Sequence, residues 1–238
     1  MLWYKAWLET RLRFLICVIG LTGLCVYEVI RTDHGITSPV NAAYYYLALH
    51  DLTRQLAIFL ILAVNLTTAG GLLREKAVGS ASFTLALPFS RAHQAAVRIA
   101  VGLLETLAII AMPWAGIFVT GSFAPESPPV SQALLHLAFL SGGGLVYFSI
   151  AVLASSLVEG EYIAPVISFG VVVLMGSILD GSTLRVYNPG NFMMGGSHYR
   201  IHEGLLVGPF PGAQIAIYCA ISLLMIAISV EAIQRREF

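Results

Sequence analysis

The stretch IAVGLLETLAIIAMPWAGIFV, residues 99–119, contains a single charged side chain, Glu105. A helix needs about 20 apolar residues to cross a hydrocarbon core about 30 Å thick. Backbone groups in lipid must be hydrogen-bonded within their own segment, so the stretch predicts a membrane-spanning helix. Similar runs recur along the chain. Together they predict six spans, at about 14–30, 56–73, 99–119, 134–158, 162–179 and 213–230.

The composition supports this class of fold. The 238 residues are 58% hydrophobic and 11% charged, whereas soluble domains carry about 25% charged residues. No repeat and no low-complexity linker divides the chain, so we predict one all-α domain, 1–238, in the lipid bilayer. The net charge of +0, without a basic cluster, argues against nucleic acid as a partner.

The distribution of Lys and Arg predicts the orientation, because these residues favour cytoplasmic segments. With the N-terminus inside, nine of the 13 lie on the inner side and four on the outer side. We therefore expect a multi-pass protein with both termini in the cytoplasm, an inner loop 74–98 and an outer loop 180–212. The inner group is Lys5, Arg11, Arg13, Arg74, Lys76, Arg91, Arg98, Arg235 and Arg236; the outer group is Arg31, Arg54, Arg185 and Arg200.

The segment before the first span, MLWYKAWLETRLR, is amphipathic at helical spacing. Trp3 and Trp7 lie with leucines on one side, and basic residues lie on the other. Tryptophan favours the headgroup level of a membrane, so residues 1–13 predict an interfacial helix anchored by Trp3 and Trp7. The alternative is that they form only the aromatic start of the first span.

Polar residues inside the spans are candidates for function. An acid such as Glu105 costs about 2.5–3.5 kcal/mol on insertion scales, so it needs a partner, a cavity or the inner headgroups. Arg98, seven residues earlier, is a candidate partner, and we predict a structural or conformational role. A proton relay in a self-sufficient secondary carrier is the alternative. Asn65 and Thr68 predict hydrogen bonds between helices or a polar lining of a pathway.

The outer loop 180–212 is too apolar for an ordinary solvated loop. Tyr187, Pro189, Phe192 and Met193 are its candidate gate residues. We predict that the loop folds back into the outer half of the bundle as short, partly re-entrant helices. Irregular backbone is tolerated at that depth where protein covers it.

The same loop contains histidines at helical spacing. His198 and His202 are four residues apart, and Glu203 follows, which allows a metal site and an intramembrane metalloenzyme as an alternative. The H-E-x-x-H protease pattern fails, because Leu206 stands at the second histidine position. We therefore predict no metal and no catalytic residue.

The inner segment LLREKAVGSASFTLALPFSR, residues 72–91, is a half-apolar helix pattern with charged ends. Pro88 terminates it. Such a helix on the inner surface either docks another protein or lies in the headgroups. A phosphate-binding P-loop needs a Gly-Lys pair, and neither Lys5 nor Lys76 follows a glycine. The chain therefore does not hydrolyse ATP by that motif.

This segment resembles the membrane subunits of type-2 ABC exporters. The family pattern is Glu-basic-x-x-Gly-small, then an apolar stretch, then Leu-Pro-x-Ser-Arg. The N-terminal WYKAWLETRLRFL, the element YNPGNFMMGG and the six-span layout are also similar to the family. The resemblance assigns coupling and docking of an ATPase subunit to Arg74, Glu75, Lys76, Gly79, Phe83, Leu87, Pro88 and Arg91.

The resemblance also implies the partners. They are a separate ABC ATP-binding subunit, which holds ATP and Mg, and a second permease, either a copy or a homologue. The family's dimer contact involves the first two spans of one subunit and the fifth of the other. Export across a prokaryotic inner membrane follows from the resemblance alone.

Overall fold

A computed structural model gives the architecture, and it describes residues 2–33, 42–68, 90–122, 129–158, 163–200 and 205–235. This part is helical apart from one antiparallel pair, β1 (Tyr199–Arg200) and β2 (Leu205–Leu206), in which Tyr199 faces Leu206. Single 3-10 turns cover Arg185–Tyr187 and Gly196–His198. The α-helices described are α1 (Leu2–Asp33), α2 (Ala42–Thr68), α3 (Arg91–Gly121), α4 (Val130–Leu157), α5 (Ile163–Asp180), α6 (Pro189–Met193) and α7 (Gly212–Arg235).

Five of these helices, α1, α3, α4, α5 and α7, are long and apolar enough to cross a membrane. The chain is therefore a multi-pass helical membrane protein. The predicted bounds of α4, α5 and α7 agree with the structure to within about five residues. The second predicted span, 56–73, corresponds to α2, but that helix begins at Ala42 rather than near residue 56. Its first half contains Asp51 and Arg54, and residues 69–73 lie outside the described part, so six spans stay a prediction.

The N-terminal segment does not form a helix of its own. The boundary predicted near residue 13 is wrong, because α1 continues without a break from Leu2 to Asp33. No glycine or proline occurs before Gly20, so nothing in the backbone interrupts the helix. A 32-residue helix is about 48 Å long, which exceeds the hydrocarbon core.

The inner loop is also shorter than predicted. Residues 91–98 were assigned to the loop 74–98, but they form the first two turns of α3. The side chain of Ser90 caps this helix, since its Oγ accepts a hydrogen bond from the backbone N–H of His93 at 3.2 Å. Hydropathy detects only the apolar part of a helix, so the sequence pattern missed this polar beginning.

The core is built around α4, which packs against α2, α3, α5, α6 and α7. About 72% of its most apolar stretch is buried, compared with 17% for α1, α5 and α7. Those three helices present many large apolar side chains outward, including Ile19, Val166 and Leu223. Such a surface fits lipid or another membrane subunit rather than water.

Candidate functional site

The first candidate region is the segment between α5 and α7, which packs onto the glycines of α4. Phe192 and Met193 of α6 are almost fully buried. The Phe192 ring lies 4.7 Å from the Phe139 ring and 5.0 Å from the Tyr218 ring, as measured between centroids. A Cβ at Gly143 would overlap Met193 Cγ, so the glycine permits the close approach of α6 to α4.

A hydrogen-bonded turn fixes the beginning of α6. The Asn188 side chain accepts from the N–H of Gly190 at 2.9 Å and donates to Asp180 Oδ1 at 2.9 Å. Asn191 donates to the same carboxylate oxygen at 2.6 Å. Asp180, the last residue of α5, therefore holds α6 in place. Of the four candidate gate residues, Pro189, Phe192 and Met193 are buried, whereas Tyr187 is 49% exposed.

The second candidate region is a polar contact between the first halves of α1 and α3. Arg98 forms an ion pair with Glu9, with 3.2 Å between Nη2 and Oε2. Both side chains are largely shielded from solvent. Arg98 was predicted as a partner of Glu105, but the structure pairs it with Glu9 on α1. A charge pair that is shielded in this way is costly to break, because a buried ion that loses a countercharge keeps its desolvation cost.

Glu105 lies two turns further along α3, and Thr10 of α1 donates a hydrogen bond to its Oε1. Glu105 is only 3% exposed. Its second oxygen, Oε2, is buried without a hydrogen-bond partner among the described residues. Glu9 and Thr10 are adjacent, so α1 contacts both polar groups of α3 within one turn. The contact therefore fixes the register of α1 against α3.

Replacing Thr10 with valine should destabilise the protein by about 1–3 kcal/mol, because both oxygens of the buried Glu105 carboxyl then lack a donor. Thermal unfolding in detergent measures this change. Thr120→Val is the matched control, since the Thr120 hydroxyl donates to the Gly116 carbonyl of its own helix and bonds no other helix among the described residues. The double variant Thr10→Val/Glu105→Leu should lose less stability than Thr10→Val and Glu105→Leu lose together as single variants. Equal melting of Thr10→Val and Thr120→Val would contradict a contribution from the interhelical bond.

Next to the polar contact between α1 and α3 lies an apolar groove of about 490 Å³. Trp3, Trp7 and Phe14 line it together with Glu105. Trp3 is 52% exposed, while the Trp7 ring packs edge-on against Phe14 at 5.2 Å. The anchoring of both tryptophans at the membrane interface stays a prediction.

Asn65 joins two helices. It is buried, its Nδ2 donates to the Ile61 carbonyl at 2.7 Å, and Ser168 of α5 donates to its Oδ1. Asn65 therefore links α2 to α5 by a hydrogen bond between side chains, and a role in a pathway stays a prediction. Thr68 ends α2, and its side chain lies outside the described part of the structure.

No family model matches this chain, and no curated protein matches it in sequence.

Most of the predicted coupling residues lie outside the described residues: Arg74, Glu75, Lys76, Gly79, Phe83, Leu87 and Pro88. Arg91 is the first residue of α3, and its side chain is also outside them. The described end of the motif is Ser90, whose carbonyl accepts from the Gln94 N–H at 3.1 Å in addition to the side-chain cap. The candidate docking segment is thus followed directly in sequence by Ser90 and α3.

The candidate metal site is only partly within the described residues. His202 and Glu203 lie outside them, and His198 packs its ring 5.4 Å from Phe139. Among the residues that the structure describes, no group of three histidine, cysteine or acidic side chains is close enough to hold a metal.

Proposed function

We propose that this chain is the membrane subunit of a type-2 ABC exporter, coupled to separate ATP-binding subunits. One observation carries the proposal: the motif that begins at Glu75 and ends in Leu-Pro-Phe-Ser-Arg leads directly into the capped first turn of α3. Its location between two long apolar helices is also what a cytoplasmic docking segment requires. The chain itself hydrolyses no ATP, and the partner subunit binds ATP and Mg.

The contacts supply a mechanical route for coupling. Movement of a docked segment 72–89 would displace Ser90 and with it the beginning of α3. Because Arg98 and Glu105 bond to Glu9 and Thr10, a displacement of α3 carries α1 along with it. Two shielded polar contacts resist sliding better than apolar packing alone, since sliding leaves buried groups unpaired.

The buried segment around α6 is the proposed gate. Its closed state is maintained by Phe192 and Met193 against α4, and by the bonds of Asn188 and Asn191 to Asp180. Opening would separate α6 from Gly142 and Gly143 while α4 remains in the core. The outward apolar faces of α1 and α5 suit a second permease copy or a homologue, with lipid covering the remainder.

Co-purification tests this function. The tagged chain should retain an ABC ATP-binding subunit encoded with it, and the complex should hydrolyse ATP faster when it is embedded in lipid. The matched control is the same chain without residues 72–89, inserted in membranes to the same level. A chain that purifies without an ATPase, and whose transport does not respond to ATP, would contradict the proposal.

A self-sufficient secondary carrier is the second candidate, because Glu105 has a buried oxygen without a hydrogen-bond partner among the described residues. If the chain is a carrier, Glu105→Gln removes the group that carries the proton but preserves the size of the side chain. Proton-driven transport then stops. In the exporter the same variant reduces stability or switching, and partner binding continues. Transport driven by a pH gradient without ATP therefore separates the two candidates.

A further inference from the structure

A cavity of about 450 Å³ lies at the end of the bundle where α5 ends and α7 begins. Three separate parts of the chain form it: Arg54 of α2, Gln214 of α7 and the segment from Arg185 to His198. The Lys and Arg distribution predicts that this end faces the outside. Its volume is within the range of ligand pockets, about 300–1,000 Å³.

The charged side chains that line the cavity are basic. Arg54 and Arg185 both line it, and none of the described residues that line it is acidic. Neither arginine forms an ion pair with a described residue, and Asp51, one turn before Arg54, is not paired with it. The nearby Asp180 already accepts hydrogen bonds from Asn188 and Asn191. Both arginine residues are exposed, so their guanidinium groups are accessible to a ligand that enters the cavity.

The positions of these groups are held by the fold. Gln214 donates to the Val186 carbonyl at 2.7 Å, which fixes the 3-10 turn that carries Arg185. Arg54 follows the fully buried Thr53, so its backbone belongs to a packed part of α2. A cavity whose charged groups stand on fixed backbone loses less entropy when it binds a ligand.

Part of the remaining wall is apolar, beside the polar side chains of Asn191, His198 and Gln214. Phe192, which is held between the rings of Phe139 and Tyr218, forms part of it together with Val186 and Met194. A small inorganic anion would leave this wall uncovered. An amphiphile with an anionic head and a hydrocarbon tail would cover the wall and neutralise the arginines together.

We propose that this cavity binds the phosphate head of an anionic amphiphile, with Arg54 and Arg185 on the phosphate and the tail against Phe192 and Met194. Guanidinium groups bind phosphate oxygens with paired, charge-assisted hydrogen bonds. His198, which also lines the cavity, is a further candidate donor. The site is independent of ATP-driven transport, and it would exist equally in a carrier.

The test uses the full chain in dodecyl maltoside with dodecyl phosphate as the probe. The variant Arg54→Gln/Arg185→Gln should weaken binding of dodecyl phosphate about 10–100-fold, as measured by thermal shift and native mass spectrometry. The matched control is Arg31→Gln/Arg235→Gln, which removes the same charge from arginines paired with Glu28 and Glu231. It should bind as the unchanged chain does. Arg54→Lys/Arg185→Lys should give an intermediate affinity, because the charge remains while the paired geometry is lost.

Two further stabilisation measurements identify the source of the ligand. A stabilisation by phosphatidylglycerol nanodiscs over phosphatidylcholine nanodiscs, lost in the glutamine variant, supports a bilayer lipid. A stabilisation by dodecyl phosphate alone supports a soluble amphiphile. Equal binding to the glutamine variant and to its control would overturn the site. Displacement of dodecyl phosphate by an equal concentration of inorganic phosphate would overturn the role of the apolar wall.

Discussion

Replacing Gly143 with alanine is expected to lower the thermal unfolding midpoint by roughly 2–12 °C, which corresponds to about 1–3 kcal/mol of overpacking. The new methyl group would overlap Met193 Cγ and lie 2.7 Å from the carbonyl oxygen of Pro189. The side chain of Met193 can move, but the Pro189 oxygen belongs to the backbone of α6. The substitution therefore displaces α6 from α4, although alanine favours a helix by about 1 kcal/mol over glycine.

A matched glycine separates packing from helix propensity. Gly170 of α5 has nothing within 4 Å of the position of an added Cβ, so Gly170→Ala should be neutral or slightly stabilising. The double variant Gly143→Ala/Met193→Ala should recover only part of the loss, because the contact with the Pro189 oxygen remains. Equal unfolding midpoints for the Gly143 and Gly170 variants would show that α6 does not pack on α4.

The sequence predicts the helices of this protein better than their ends. The spans around α4, α5 and α7 follow from hydropathy, because each apolar run coincides with most of one helix. The beginnings of α1, α2 and α3 do not follow from it, because each helix extends beyond its apolar run: α1 and α3 begin with charged or polar turns, and Asp51 and Arg54 interrupt the apolar pattern of α2. Ser90 after Pro88 is the one local signal for α3, and it marks a helix beginning at Arg91.

The sequence indicates which residues belong to the candidate sites, but it does not predict which residues they contact. Glu105 is conspicuous because it is an acid in an apolar run. Its partner Thr10 lies 95 residues away in sequence, and no local pattern connects the two. The same holds for Asn65 and Ser168, which are 103 residues apart. Such pairs arise from the tertiary packing of whole helices. The residue spacing in a single sequence does not predict which helices pack together.

Replacing Phe83 with aspartate is expected to weaken binding of the ATP-binding subunit roughly 30-fold or more, because a central aromatic anchor contributes about 2 kcal/mol or more to an interface. At helical spacing, the sequence predicts that Phe83 and Leu87 extend an apolar surface of Val78, Ala81 and Leu85 in the proposed docking segment. A carboxylate there would be buried against the partner without a countercharge. The measurement is the amount of ATPase retained by the tagged chain, together with the ATP hydrolysis of the complex.

The control must separate docking from membrane contact, because an apolar helix in the headgroups would also respond to a charge. Phe210→Asp places the same change at an exposed phenylalanine near the beginning of α7, where no partner is expected, and should retain the ATPase fully. Phe83→Trp provides the second control. Tryptophan favours the headgroup level, so a headgroup helix would accept it, whereas a fitted docking pocket would not. Loss of the ATPase in both Phe83 variants with normal insertion supports docking, and retention in both would contradict the assignment of this segment.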